Sequence, residues 1–315
     1  MGWVTEDNFE FVEEELAPLA DGQVRVRNVF LSLDPYMRGR MNDAKSYAPK
    51  VELGQVMVGG TVGVVEESRH ASLAVGDAVV GNLGWQTYGV GDARALRKVD
   101  APRSIYLGVA GMPGVTAWIG LLDLGQPKAG ETVVVSAAAG AVGSVVGQLA
   151  KQRGCRAIGI AGGADKCRHV VEDLGFDACI DYKGGALRDE LRAATPNGID
   201  VYFENVGGEV LEEVSRRLNP FARIPLCGLV SQYNDTAPTG FRNFGALLIN
   251  RVRVQGFIVS DHLDRWPTAL AELQAGVERG TLRYRETIVD GLREAPRGLV
   301  GLLRGASVGK LVVRL

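Results

Sequence analysis

Residues 131–151 read ETVVVSAAAGAVGSVVGQLAK, and no other stretch narrows the choice of fold as far. Val133, Val134 and Val135 form a continuous β-branched run, the composition of a strand buried on both faces of a parallel sheet. A loop of small residues follows, and then an amphipathic helix starting near Ala141. Gly140 and Gly143 let backbone amides approach an anion at the helix N-terminus, where unpaired N–H groups and the helix dipole favour negative charge. The dinucleotide-binding fingerprint is Gly-x-Gly-x-x-Gly; here Ala138 stands at the first position, giving Ala-x-Gly-x-x-Gly. Taken alone, the same string also describes an ordinary tight turn whose small residues let the helix pack closely.

The next segment sharpens the reading. RAIGIA (156–161) is a second buried strand, ending at Gly162-Gly163-Ala164-Asp165-Lys166 and running into a helix from Cys167 to Leu174. Sites that prefer NAD place an acidic residue about 20 positions beyond the fingerprint, on the ribose 2′-hydroxyl. The tip Ala161-Gly162 carries no carboxylate, and Asp165 falls in the first helical turn, where negative charge suits the dipole. Lys166 is either a solvated surface lysine or a compact positive charge for an NADP 2′-phosphate, and its position favours the second. The cofactor predicted on these grounds is NADP.

A chain of 315 residues, 46% hydrophobic and 23% charged, has the size and composition for two globular domains. Its formal net charge of −2 and lack of a basic block argue against nucleic acid or an anionic membrane as partner. The chain has no apolar run of about 18 residues, and its start, MGWVTEDNFEF, lacks the regions of a signal peptide, so the cytoplasm is the expected compartment. Cys155, Cys167, Cys179 and Cys227 are isolated from one another and from any histidine set, which leaves no zinc ligand pattern. Cys155, Cys179 and Cys227 read as small core residues. His70, His169 and His262 have polar or charged neighbours and are expected at the surface.

Residues 1–105 contain short runs such as Val24–Leu33, Thr61–Glu66 and Ala78–Val80 between turn residues, a mainly β pattern. From Gly111 to about Asp261 strands alternate with helices: a helix over Val115–Leu122, then strands at 132–136, 156–161, 178–182, 199–204, 223–228 and 253–259. This is the size of a doubly wound dinucleotide domain. A helix from Trp266 to about Arg279 and strands Tyr284–Ile288 and Gly309–Arg314 complete the chain, the strands returning to the first domain.

Taken together, SLDPYMRGRM (32–41), GMPGVTAW (111–118), AAAGAVG (137–143), GGADK (162–166), ENVGG (204–208), CGLVSQYN (227–234), GFIV (256–259) and VGKLVVRL (308–315) resemble one family. It is the zinc-free medium-chain dehydrogenase/reductases of the leukotriene B4 dehydrogenase, prostaglandin reductase and plant double-bond reductase type, with their bacterial curcumin-reductase-like members. The resemblance implies an α/β protein with a GroES-like, mainly β catalytic domain at 1–110, completed by 281–315. A doubly wound Rossmann domain for NADPH/NADP+ is inserted at 111–280. It also implies a homodimer joined through the last strand of the nucleotide sheet, for which GFIV is suitably apolar. Relatives carry roughly a dozen or more residues ahead of the point where this chain begins.

Carried over residue by residue, the resemblance assigns Gly140, Ala141, Val142 and Gly143 to the pyrophosphate loop. Lys166 and Tyr182, beside Gly162, are assigned to the 2′-phosphate. Tyr182 otherwise reads as a strand-end aromatic. Asn205 follows the strand IDVYFE at the sheet edge where ligands collect, and doubles as a turn former before Gly207-Gly208. Cys227, Gly228, Leu229, Ser231 and Tyr233 resemble the loop beside the nicotinamide and its ribose, and Phe257, Ile258 and Val259 the segment facing the carboxamide. Phe257 reads equally as a core aromatic. Thr116 either positions the ring or is a first-turn helix residue. Ser307 stands where relatives often have asparagine and reaches less far.

Without a zinc ligand set, polarising a simple alcohol lacks its usual electrophile. Reducing a double bond conjugated to a carbonyl asks less of the protein: donors aimed at the oxygen where negative charge develops, and a proton for the α-carbon. The candidate donors are Tyr47, in AKSYAPKVELG, and Tyr233, since a phenol remains protonated at neutral pH. Tyr47 also reads as a loop aromatic on the cleft rim. Ile249 occupies the place of a tyrosine found in plant and mammalian relatives. Tyr36, Met37 and Arg38 read as structural: Asp34-Pro35 marks a turn, and Arg38 or Arg40 is suited to pairing with a carboxylate. The expected function is NADPH-dependent reduction of α,β-unsaturated ketones or aldehydes. A quinone reductase of the same superfamily and a non-catalytic NADP-binding protein are the alternatives.

Overall fold

The computed structural model describes residues 2–237 and 239–315. The chain divides into two compact units, one formed by Met1–Gly108 with Glu286–Leu315, the other by Val109–Arg285.

The first unit is a seven-stranded, mainly antiparallel sheet. Its strands are β1 (Gln23–Ser32), β2 (Thr61–Ser68), β3 (Ala78–Gly81), β4 (Tyr88–Asp92) and β5 (Arg97–Val99), with β12 (Glu286–Asp290) and β13 (Lys310–Arg314) from the far end of the chain. The order is β12-β13-β1-β2-β3-β5, and β4 also pairs with β1. Alternation in β1 sets the register: Val24 and Val26 are buried against Val65, Leu73 and Val79, while Arg25 and Arg27 face outward and pair with Glu67 and Glu66. After β1 the chain turns at Asp34-Pro35 into a short helix, α1 (Tyr36–Arg40). Arg38 is buried there and donates to Asn42 Oδ1 and to the carbonyl of Gly2.

A second buried cation of this unit is Lys310 in β13. Its ammonium donates to the carbonyls of Leu33 and Leu311, both at 2.7 Å, and lies 3.3 Å from Asp34 Oδ1. Asp34 also accepts from Ser32 Oγ. Lys310 thus ties the last strand to the turn that launches α1.

The second unit is a six-stranded parallel sheet of β6 (Thr132–Ser136), β7 (Arg156–Ala161), β8 (Ala178–Asp181), β9 (Ile199–Phe203), β10 (Leu218–Leu226) and β11 (Arg253–Gly256). The order β11-β10-β9-β6-β7-β8 reverses beside β6, as in a doubly wound dinucleotide-binding sheet. Its helices are α2 (Met112–Trp118), α3 (Gly143–Gln152), α4 (Ala164–Arg168), α5 (Leu187–Ala194), α6 (Gly208–Ser215), α7 (Phe244–Ile249) and α8 (Trp266–Glu278). The valines of β6 are fully buried, as two-faced covering requires.

Several boundaries differ from the sequence expectation. The first helix begins at Met112 and widens into π turns over Ile119–Gly125, closed by Gln126 N–H on the Leu121 carbonyl at 2.8 Å. The same widening follows α4, over His169–Asp173, with Leu174 N–H on the His169 carbonyl. The extra residue per turn rotates the helix face inward, so His169 is buried rather than at the surface. β10 spans Leu218–Leu226 and pairs its last residue with Gly256, so β11 ends there and Phe257–Val259 lie outside the ladder. All four residues of β11 are exposed along the sheet edge. β12 begins at Glu286, after Tyr284.

Candidate functional site

The tips of β6, β7, β8, β9 and β10 end on one edge of the parallel sheet, where the loops into the following helices gather. At β6 the sharp turn is made by Ala137, which holds a left-handed φ of 50°. Gly143 faces it so closely that a Cβ there would stand 2.4 Å from the Ala137 carbonyl oxygen, which is why this position takes glycine. Gly140, Ala141 and Val142 lead into α3, and the first amides of a helix lack an internal acceptor. The geometry is that of an anion cradle made of backbone N–H groups.

At the tips of β7 and β8, Gly162 lies under Tyr182 and Lys183. A Cβ on Gly162 would come within 2.8 Å of the Tyr182 ring and 3.0 Å of Lys183 Cε. Asp181 Oδ1 holds the loop by accepting from the amides of Gly163 at 2.7 Å and Lys183 at 3.0 Å. The Lys183 ammonium is 6.0 Å from the centre of the Tyr182 ring. Lys166, half-buried on α4, has its ammonium pKa lowered by burial first and then by the charge of Lys183. Two cations so close repel each other, and an anion between them relieves both. Lys183 was missed in the sequence because a lysine after a strand reads as solvated; its neighbour Tyr182 was the available signal.

At β9, the fully buried Glu204 fastens three segments. Its Oε1 accepts from Ser136 Oγ at 2.9 Å and from the amide of Val206 at 2.5 Å, and its carbonyl accepts from the amides of Cys227 and Gly228. Burial pushes its carboxyl pKa up. Asn205 donates its side-chain amide to the Ser136 carbonyl at 2.8 Å, joining the β9 tip to the cradle loop. After β10, Ser231 Oγ donates to the Val206 carbonyl at 2.6 Å. A Cβ on Gly228 would lie 3.0 Å from the Tyr233 hydroxyl and 3.4 Å from the Asn205 carbonyl oxygen, so these residues converge, with Leu229 in the same loop. Cys227 is half-buried, and its thiol is pushed up to about 12 by burial and then by Glu204. Cys155 is buried, while Cys179 is only half-buried.

Other candidates are less closely gathered. Thr116 donates its hydroxyl to the Met112 carbonyl of its own helix at 2.8 Å. Phe257 packs edge-on against Phe203, with ring centres 6.4 Å apart, and leads into Ile258 and Val259. Ile249 is exposed on α7. Tyr47 and Ser307 belong to the first unit; Tyr47 is exposed and Ser307 half-buried in the turn before β13. The Tyr36 phenol on α1 is pushed above its ordinary value by burial first, then by Asp34 and Tyr47, with Arg40 opposing. The sequence reading set Tyr36 aside as structural, yet it shares the neighbourhood of Tyr47.

Residues 1–99 match the family described as N-terminal domain of oxidoreductase, and residues 141–275 the one described as zinc-binding dehydrogenase. Among the described residues no group of three or more His, Cys, Asp or Glu side chains is placed to hold a metal ion. The chain is 50% identical to the NADPH-dependent curcumin reductase of Escherichia coli, over 98% of this chain and 92% of that one. It is 42% identical to prostaglandin reductase 1 of Rattus norvegicus, over 99% and 95%. The structure of CurA from Vibrio vulnificus in complex with NADPH superposes with a TM-score of 0.95 at 49% identity, covering 99% of this chain and 96% of that one. The quinone oxidoreductase of Escherichia coli, at 22% identity and a TM-score of 0.77, shares the fold. The chain therefore belongs to the zinc-free medium-chain dehydrogenase/reductase family of the curcumin, prostaglandin and alkenal reductases.

Proposed function

We propose that this protein uses NADPH to reduce the carbon–carbon double bond of α,β-unsaturated ketones or aldehydes. The observation that carries the cofactor assignment is the placing of Lys183 and Tyr182 over Gly162, with the charge of Lys183 acting on the half-buried Lys166 of α4. A 2′-phosphate is the anion that such a pair suits. Gly140, Ala141, Val142 and Gly143 take the pyrophosphate; Asn205, Cys227, Gly228, Leu229, Ser231 and Tyr233 form the wall beside the nicotinamide ribose. Phe257, Ile258 and Val259 line the carboxamide side, and Thr116 and Ser307 are further cofactor contacts in this reading. NADPH, when bound, supplies the hydride. The protein's part is to orient the enone and to donate a hydrogen bond to its carbonyl oxygen as charge builds there. Tyr47 and Tyr233 are the proposed donors, and Tyr36, whose phenol is held protonated, joins them.

Purified protein given a simple enone is expected to oxidise NADPH much faster than NADH, and Tyr47→Phe to lower kcat/KM for the enone by roughly tenfold to a hundredfold. Absence of turnover across a panel of enones would refute the activity. A quinone panel in the same assay separates the quinone-reductase reading, and tight nucleotide binding with no acceptor turned over would favour a non-catalytic NADP-binding protein.

The exposed edge strand β11 supports a homodimer formed by pairing two such edges. Light scattering should then return twice the 33.6 kDa chain mass, and a single-chain mass at micromolar concentration would count against it. No helix of the described residues is long and apolar enough to cross a membrane, and the cytoplasm is the proposed compartment.

A further inference from the structure

A cavity of about 450 Å³ opens within the second unit, away from the loops described above. Its walls come from the π turn after α4, the end of α8 and the segment that follows it. Asp173 and Leu174 precede β8, so the cavity lies toward the N-terminal ends of the strands, opposite the anion cradle. His169 is buried in its wall at 7% exposure. Its Nδ1 is 2.6 Å from Asp173 Oδ2, and its Nε2 is enclosed with no hydrogen-bond partner among the described residues. A buried polar atom left in that state calls for a ligand or a water.

Two guanidinium groups complete the polar side. Arg283 and Arg285 are two residues apart in an extended segment, the spacing that puts side chains on one face. The segment is held in place: Arg283 exchanges two 2.8 Å hydrogen bonds with the buried side chain of Gln148, through its amide and its carbonyl, and its Nη1 donates to the Asp173 carbonyl. Asp173 is the one carboxylate in the lining, and the hydrogen bond from His169 already engages it, holding its pKa below the usual carboxylate range. Leu174 and Leu282 supply an apolar wall. The site is thus an open depression, cationic at one side and apolar at the other.

We propose that this cavity binds a small amphipathic carboxylate, its head on Arg283 and Arg285 and its hydrocarbon body against Leu174 and Leu282. A planar carboxylate matches the arginine fork. The test is calorimetric titration of the full chain with octanoate, with octanol and octylamine as probes of the same length and different charge. Saturable binding of octanoate alone is expected, weakened at least tenfold by Arg285→Glu, an exposed position whose change leaves the fold and NADPH binding intact. Equal octanoate affinity in Arg285→Glu and the parent, equal binding of octanol, or no saturable binding would each overturn the proposal. So would displacement of octanoate by an enone, which would put it in the catalytic site.

Discussion

Replacing both Lys166 and Lys183 with alanine is expected to lower kcat/KM for NADPH by about two orders of magnitude while leaving NADH nearly unchanged. Each ammonium would lose one charge-assisted contact to a group that only NADPH carries. Because the charge of Lys183 acts against that of Lys166, the single variants should not add. Removing one lysine relieves the other and recovers part of the loss. Steady-state kinetics with both cofactors, across the two singles and the double, measures this coupling. Equal losses with NADPH and NADH would show that the lysines shape the loop without reading the phosphate.

The second large effect concerns stability. Lys310→Met should destabilise the first unit by about 3–5 kcal/mol, because it leaves Asp34 buried without its cation and strips a donor from two buried carbonyls. The double variant Lys310→Met, Asp34→Asn should recover much of that, since the cost lies in the orphaned charge more than in the lost pair. Urea unfolding of the parent and the two variants checks both statements. A Lys310→Met midpoint within error of the parent would mean that water reaches Asp34. Because Asp34 sits at the turn that launches α1, the single variant should also disturb Tyr36, two residues on, and lower turnover before it lowers cofactor affinity.

Local chemistry made the strand, tight turn and helix at 132–152 legible in the sequence: three buried valines, then Gly140 and Gly143 at a fixed spacing, need no distant partner to be interpreted. The same holds for the acid-free tip after β7. Lys183 and Glu204 were not legible, because their roles depend on which strand tips become neighbours. Glu204 reads as an acid before a turn until Ser136, Val206 and Cys227 are brought around it. His169 was misread for a different reason: its polar neighbours suggest an exposed helix, and a π turn shifts the buried face by an increment that 3.6-residue periodicity does not contain. The apolar run GFIV suggested a longer strand, but β10 offers no partner beyond Leu226.

All four cysteines have thiols pushed above their ordinary value, chiefly by burial. For Cys227 the thiol is pushed up to about 12, which disfavours the thiolate at neutral pH. Enones are Michael acceptors, and a thiolate is the nucleophile that adds to them. In the proposed reading the Cys227 loop lies beside the nicotinamide, where a reactive thiol would be open to alkylation by an enone. Half-buried beside Glu204, with its thiol pushed up, Cys227 is kept in the form that does not add to such electrophiles.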